Sequence, residues 1–196
     1  MKSLSVGQIE SARVKLLDNA RELVEEAELL LANGAFARAY ALSHLACEEM
    51  AKIPMLIRAA TDTLMGVEFD WPHLMGRLRS HPAKIRGILF ADFLFDPDME
   101  SDADLKRLKE NLASVADLNN LKNSSLYVDL SEDGIRKPSE FISEDLARAF
   151  VKQGRSRLTS FEVMEQLTRG EIQRIANTSQ FKKFWNEQQD LRGKTD

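Results

Sequence analysis

The chain has 196 residues, enough for one domain with a hydrophobic core, and its 30% charged residues are typical of an ordinary globular protein. The formal net charge of −4 argues against a protein that binds nucleic acid over its whole surface, so contact with RNA would require a local group of basic residues. The single cysteine, Cys47, excludes an internal disulfide and a multi-cysteine zinc site.

The N-terminal residues MKSLSVGQIE lack the apolar core of a signal peptide, and no apolar run is long enough to span a membrane. We therefore expect a cytoplasmic protein with no membrane partner. The low content of Gly and Pro, with abundant Ala, Leu, Glu, Lys and Arg, favours helix throughout the chain.

The first two predicted elements are long helices joined by a short turn. Apolar residues at helical spacing predict a helix from about Ser5 to Ala32, and Asn33 with Gly34 is a typical helix end. A second helix is predicted from about Ala35 to Leu64. Because the turn is so short, the two helices are expected to be antiparallel neighbours.

The middle of the chain is predicted to be helical with several breaks. GVEFDWPH separates the second helix from a third, and Pro82 in SHPAK predicts another break before a helix that continues to about Phe95. The acidic segment DPDMESDAD supplies capping residues for a helix from about Ala103 to Asn123.

The C-terminal part begins with YVDLSEDGIRKP, the one segment that looks extended, with a turn at Asp133–Gly134. A helix is then expected from Ser139 or Ser143 to about Gln166. Residues 167–196 are predicted to form a helical tail packed on the bundle. The predicted fold class is therefore all-α, with an antiparallel helical bundle over residues 1–166 and a helical C-terminal extension.

An unusual group of charges lies in the second helix, in ALSHLACEEMAKIPML. On a helical wheel Glu49 falls in the middle of an apolar stripe, while Glu48 and Lys52 lie along one side of it. A carboxylate on a core face is costly unless it meets a cation or several donors. We therefore predict that Glu49 is buried and paired with a group from another helix.

Candidate partners come from later helices. His81 and Lys84 open the helix HPAKIRGILF, and Lys122 precedes Tyr127 and Asp129 in LKNSSLYVDL. A histidine beside carboxylates can act as an acid or a base near neutral pH. Two interpretations remain open from the residues alone, a structural ion-pair network and a charged pocket between helices.

Other chemistries are not supported by the sequence. The chain has no glycine-rich phosphate loop and no serine nucleophile elbow, and its three histidines lack metal-site spacing, so no cofactor and no metal site are predicted. Arg38 and His44 have the spacing of the Arg–His signature of HEPN ribonucleases. They point about 120° apart on one helix, however, and the match lies in the second helix rather than in a late one.

Three segments together resemble a known family. GAFARAYALSHLACEEMAKIPML, HPAKIRGIL and LKNSSLYVDL…DGIRKP follow the order and approximate spacing of AbiV-type abortive infection proteins, a branch of the HEPN superfamily. The resemblance covers about residues 10–165. It implies an HEPN-like all-α bundle, usually a homodimer, that acts in phage defence by arresting growth, with RNA cleavage or inhibition of translation as the chemistry.

The family's motif falls on residues of all three segments. These are Glu48, Glu49, Lys52, His81, Lys84, Lys122, Tyr127 and Asp129. The chain departs from the superfamily at KNSSLY, where the usual Arg–His ribonuclease signature is not recognisable. The resemblance implies RNA and a phage or antitoxin protein as further partners.

Two hypotheses about function follow. In the first, the protein is a metal-independent ribonuclease with His81, Glu49 and Lys84 as catalytic residues and Glu48 and Asp129 in supporting positions. The residues expected to bind RNA phosphate are Lys52, Arg79, Lys122 and Tyr127. In the second, the bundle is a non-catalytic module that binds a host or phage protein, and the ionic cluster is purely structural.

Overall fold

The computed structural model describes residues 3–95, 101–131 and 134–178. The elements in chain order are α1 (Val6–Ala32), α2 (Phe36–Leu64), α3 (Trp71–Arg79), α4 (His81–Phe95), α5 (Asp102–Ala113), α6 (Val115–Leu126), β1 (Asp129–Ser131), β2 (Gly134–Arg136), a 3-10 turn (Pro138–Glu140), α7 (Glu144–Thr168) and α8 (Glu171–Asn177). The predicted all-α fold class is confirmed.

The α1–α2 hairpin forms as predicted. Gly34 adopts a φ of 74°, a left-handed conformation that glycine tolerates best. The amides of Gly34 and Ala35 donate to the carbonyls of Leu31 and Leu30, so the last carbonyls of α1 are satisfied within the turn. The chain therefore reverses in three residues and lays α2 along α1.

α2 is the central helix of the bundle, and it packs against α1, α4, α6 and α7. The main core joins apolar residues of α1, α2, α4 and α7, including Val24, Met50, Ile53 and Leu158. Because neighbours surround α2, most of its circumference is buried rather than one stripe. Among the described residues, no helix is long and apolar enough to cross a membrane.

The helix predicted from Ala103 to Asn123 is interrupted. Ser114 separates α5 from α6, because its amide donates to the carbonyls of Glu110 and Asn111 and its hydroxyl donates to Asn111 at 2.8 Å. A serine that satisfies the preceding carbonyls in this way competes with helix continuation.

The segment predicted to be extended forms a small antiparallel hairpin, with Leu130 opposite Ile135. The predicted turn at Asp133–Gly134 lies partly outside the described residues, as does the predicted acidic turn at residues 96–100. Farther along, α8 packs against α2 and α7. Residues 179–196 of the predicted tail are outside the described part, and their packing stays a prediction.

Gly154 marks the closest approach of α7 to α2. A Cβ atom at this position would collide with the hydroxyl of Ser43, which is fully buried and donates to the carbonyl of Phe150. We expect Gly154→Ala to lower the free energy of unfolding by about 1–3 kcal/mol, although alanine favours a helix by itself.

Ser43→Ala in the same chain removes the hydroxyl and leaves an ordinary Cβ contact of 3.6 Å. The double variant should therefore lose less stability than the two single effects added together, as measured by urea unfolding. Simple additivity would show that the predicted collision is not responsible for the loss.

Candidate functional site

The buried carboxylate of α2 belongs to Glu48, and the prediction for Glu49 is wrong. The Glu48 side chain is 3% exposed, whereas that of Glu49 is 21% exposed and lies 2.6 Å from Lys52 on the same helix. The two acids are adjacent in sequence and therefore project about 100° apart. The predicted partners of Glu49 are found around Glu48 instead.

The reason is the central position of α2. The apolar stripe chosen from the sequence is only part of its buried surface, and a second face, made mainly of small residues, receives α4 and α6. Glu48 lies on this second face with Ala37, Ala41, Ala51 and Ala59. Small side chains let neighbouring helices come close, and charged side chains from those helices can then reach Glu48.

Groups from three helices meet at the Glu48 carboxylate. His81 Nδ1 lies 2.7 Å from both carboxylate oxygens, and Lys84 Nζ lies 2.6 Å from Oε2. Lys122 Nζ is 3.7 Å from Oε1, and His44 Nε2 is 3.8 Å from the same oxygen. We call Glu48, His81, Lys84 and Lys122 the Glu48 cluster.

The start of α4 places His81 and Lys84. The predicted break at SHPAK is present, and Ser80 caps α4 by accepting a hydrogen bond from the amide of Ala83 at 3.3 Å. His81 and Lys84 are three residues apart, so both side chains lie on one face of the helix and point to α2. That face continues into the core through Ile85 and Ile88.

Lys122 comes from α6, which packs on both α2 and α4. Its side chain is 4% exposed, and that of Lys84 is 7% exposed. Two buried ammonium groups therefore share one buried carboxylate, and the described cluster carries an excess of positive charge.

The pKa values follow from this arrangement. Burial raises the pKa of Glu48, but the hydrogen bonds from Lys84 and His81 outweigh it, so the pKa lies below its ordinary value of 4.5. Burial lowers the pKa of Lys122, and the charge of Glu48 offsets only part of that effect. Glu48 is therefore ionised at neutral pH.

His81 is the member of the cluster that reaches solvent, with its side chain 47% exposed. A neutral imidazole that donates from Nδ1 to a carboxylate carries its lone pair on Nε2. The carboxylate also fixes the orientation of the ring. The geometry therefore gives His81 the features of a general acid or base.

The other predicted site residues are more scattered. Lys52 is paired with Glu49, and Arg79 is exposed at the last position of α3, two residues before His81. Tyr127 follows α6 and is 68% exposed, while Asp129 lies in β1. Among the described residues, neither side chain forms an ion pair or hydrogen bond with the Glu48 cluster.

His44 extends the cluster inward, a contact the sequence analysis did not predict. Its ring stacks on Phe150 at 5.5 Å between centroids, and its side chain is 4% exposed. Arg38, by contrast, is exposed, so the pair with HEPN-like spacing diverges as expected. Burial lowers the pKa of His44 to about 4.

This low pKa predicts a loss of stability in mild acid. Between pH 6.5 and pH 4 the unfolded state binds a proton at His44 that the folded state does not, so stability falls as the pH is lowered. His44 is expected to lower the free energy of unfolding by about 3 kcal/mol over this range. Above pH 6.5 the contribution is constant.

The matched comparison is His44→Gln against His73→Gln, because His73 is exposed on α3. The free energy of unfolding, measured with urea at several pH values, should depend less steeply on pH between 6.5 and 4.5 in His44→Gln than in the wild type. His73→Gln should keep the pH dependence of the wild type. Equal pH dependence in the wild type and His44→Gln would contradict the assignment.

The sequence analysis also missed two buried arginines. Arg13 on α1 is 2.6 Å from Glu165 on α7, and Arg157 on α7 is 2.6 Å from Asp92 on α4. Arg157 also donates to the sulfur of Cys47 at 3.1 Å, and burial raises the pKa of that thiol. Each arginine lies on the buried, mainly apolar face of its helix, Arg13 between Ile9 and Leu17 and Arg157 between Gly154 and Phe161. A charged residue on such a face is the same signal that was read in α2, and it was not used for α1 or α7.

Comparison with known proteins gives one match. Residues 8–159 match the model of the HEPN_AbiV family, described as AbiV. No curated protein and no solved structure matched the chain. The matched range extends from α1 into α7 and includes His44 and all four residues of the Glu48 cluster.

Proposed function

Because the chain belongs to the AbiV family of HEPN proteins, we propose that it is an abortive-infection effector, which protects a bacterial population from phage by arresting growth of the infected cell. The proposed chemistry is cleavage of RNA by acid–base catalysis at His81. Inhibition of translation would then follow from damage to RNA.

Cleavage of RNA needs few groups from the protein. The 2′-hydroxyl of the RNA attacks the adjacent phosphorus, a base takes the hydroxyl proton, and an acid gives a proton to the leaving 5′-oxygen. The products are a 2′,3′-cyclic phosphate and a 5′-hydroxyl. His81 is proposed to exchange a proton with the RNA through Nε2.

One observation carries the proposal. The half-exposed His81 ring is held at 2.7 Å by the buried carboxylate of Glu48, so its orientation is fixed while its second nitrogen is left for a substrate. A histidine serving only as a surface residue needs no such partner. Glu48 is therefore proposed to orient His81, in line with the supporting position predicted for it, whereas Glu49 has no contact within the described part of the chain that would support the catalytic role predicted from the sequence.

The remaining cations have different proposed roles. Lys84 and Lys122 are buried, so they are proposed to raise the local positive potential rather than to bind phosphate directly. Arg79 is exposed beside His81 and is proposed to contact phosphate. Lys52 and Tyr127 lack a comparable geometric argument.

The alternative is a non-catalytic module that binds a host or phage protein. The near-complete burial of Glu48, Lys84 and Lys122 favours it, because ion pairs of this kind also join helices in proteins without activity. A homodimer and a phage or antitoxin partner remain proposals from the family. Phe90 and Phe95 on α4 are 49% and 40% exposed and would offer apolar surface to such a partner, and Phe93 stacks on Phe90.

Expression of the chain in a bacterial host tests the function and separates the two mechanisms. The wild type should arrest growth, and His81→Ala should abolish the arrest at equal soluble expression. His73→Ala, which alters an exposed histidine on α3, is the matched control and should retain it.

Two other outcomes of this experiment would count against the proposal. Arrest by the folded His81→Ala variant would favour the binding module. If the wild type arrests growth neither alone nor during phage infection, the effector proposal is wrong.

A further inference from the structure

A cleft of about 610 Å³ lies between α2, α3 and α4, and no residue of the Glu48 cluster lines it. This volume is within the range of ordinary ligand sites. Its floor is formed where Gly87 approaches α2, since a Cβ at this position would lie 3.4 Å from Met55 Cε and 3.6 Å from the carbonyl of Ala51. The proposed RNA chemistry does not use this cleft.

The walls of the cleft are apolar and its rim is charged. Met55, Phe69, Leu74 and Phe90 contribute apolar surface, and Phe90 is 49% exposed. The rim carries three acids, Asp62, Glu68 and Asp70, and two cations, Arg58 and Arg77. Arg58 already faces Asp62 at 3.5 Å, so the loop before α3 is left acidic.

α8 joins an apolar cluster that also borders this cleft. Ile172 of α8 packs in the cluster that contains Met55, Leu74 and Phe69, three residues that also form the cleft wall. α8 ends at Asn177, about 8 Å along the helix axis from Ile172. The next eight residues, 178–185, could span up to about 27 Å, so the cleft is within reach.

The sequence that follows α8 complements the cleft. Residues 181–185 read FKKFW, which combines three aromatic side chains with two lysines. Aromatic rings match the apolar walls, and lysines match an acidic rim. An intramolecular partner also binds at a high effective concentration, so modest complementarity is sufficient.

We propose that the C-terminal segment of this chain, through Phe181, Phe184 and Trp185, docks in the cleft between α2, α3 and α4. Lys182 and Lys183 then face the acids of the loop before α3. The docked segment covers the exposed part of Phe90, which already stacks on Phe93 within α4. This inference is independent of whether the protein cleaves RNA.

Hydrogen exchange measured by mass spectrometry on the full chain tests the docking. Phe184→Ala combined with Trp185→Ala should accelerate exchange of the amides at residues 66–70 and 87–90 by roughly tenfold. Gln188→Ala combined with Gln189→Ala is the matched control in the same segment and should leave these amides unchanged. Unchanged exchange in the aromatic variant would overturn the proposal.

A reciprocal variant tests the docking through a residue of the cleft. Phe90→Ala should accelerate exchange at residues 181–185, whereas Leu130→Ala, an exposed leucine on the β-hairpin, should not. Equal acceleration by both variants would overturn the assignment to this cleft. Protection that increases with protein concentration would show that the occupant is a second copy of the chain and would overturn the intramolecular form.

Discussion

Glu48→Ala is expected to lower the free energy of unfolding by about 3–5 kcal/mol, because it leaves Lys84 and Lys122 buried without their shared counter-charge. Loss of one partner from a buried ionic network costs more than the net value of the network, since the desolvated charges remain. The loss should appear as a lower urea midpoint with an unchanged slope.

Glu49→Ala is the matched control, since it removes the same side chain from the next position of the same helix. The Glu49–Lys52 pair is partly solvated and lies within one helix, so its loss should cost less than about 0.5 kcal/mol. A comparable loss of stability in the two variants would show that Glu48 is not the buried centre.

His81→Ala is expected to lower the rate of RNA degradation by the purified protein about 10²–10⁴-fold, the usual contribution of a general acid or base. The variant should remain folded, because the His81 side chain is 47% exposed and the contacts of Glu48 with both lysines are retained. Total bacterial RNA is the substrate, and fragment lengths over time give the rate.

The control for this assay is His73→Ala, which should degrade RNA at the wild-type rate. Glu48→Gln should also be slower than the wild type, because it replaces the carboxylate whose two oxygens both lie 2.7 Å from His81 Nδ1, so the ring is held less firmly. Degradation at one rate by all four proteins would identify a contaminating nuclease. No degradation by the wild type would remove the ribonuclease mechanism.

The helices and their order were predictable because each has a strong local signal. The turn at Asn33–Gly34, the cap before Pro82 and the apolar periodicity of α1 act over a few residues, so they can be read from the sequence. The break at Ser114 was missed. The hydroxyl of a serine in a polar helix can face solvent, or it can bond to a preceding carbonyl and end the helix. Which of the two occurs depends on the packing of α5 and α6.

The composition of the site was predicted better than its centre. A carboxylate on α2 does meet cations from two later segments of the chain, and His81, Lys84 and Lys122 were all named in advance. The error lay in choosing Glu49, because a single apolar stripe identifies the buried face only when a helix has neighbours on one side.

A signal for Glu48 was nevertheless present. Ala37, Ala41, Ala51 and Ala59 recur at helical spacing on the same face, and such small residues indicate close packing by other helices. Arg13 and Arg157 also stand on the apolar faces of their helices, but nothing local identifies Glu165 and Asp92 as their partners. Their partners are 152 and 65 residues apart, so only the tertiary fold brings them together.

The charge state of Glu48 supports both the stability of the three-helix junction and the orientation of His81. A carbon-detected NMR titration of the Glu48 carboxyl, with Glu49 as the internal comparison, measures it directly. The account predicts that Glu48 stays ionised from neutral pH to below pH 4.5, and that Lys84→Met raises its pKa. Because the folded-state pKa is depressed, the stabilisation by Glu48 is fully present above the ordinary pKa of 4.5 and is lost progressively as the pH falls from there through the folded-state value. Proton uptake by Glu48 at or above pH 4.5 in the wild type would contradict the account.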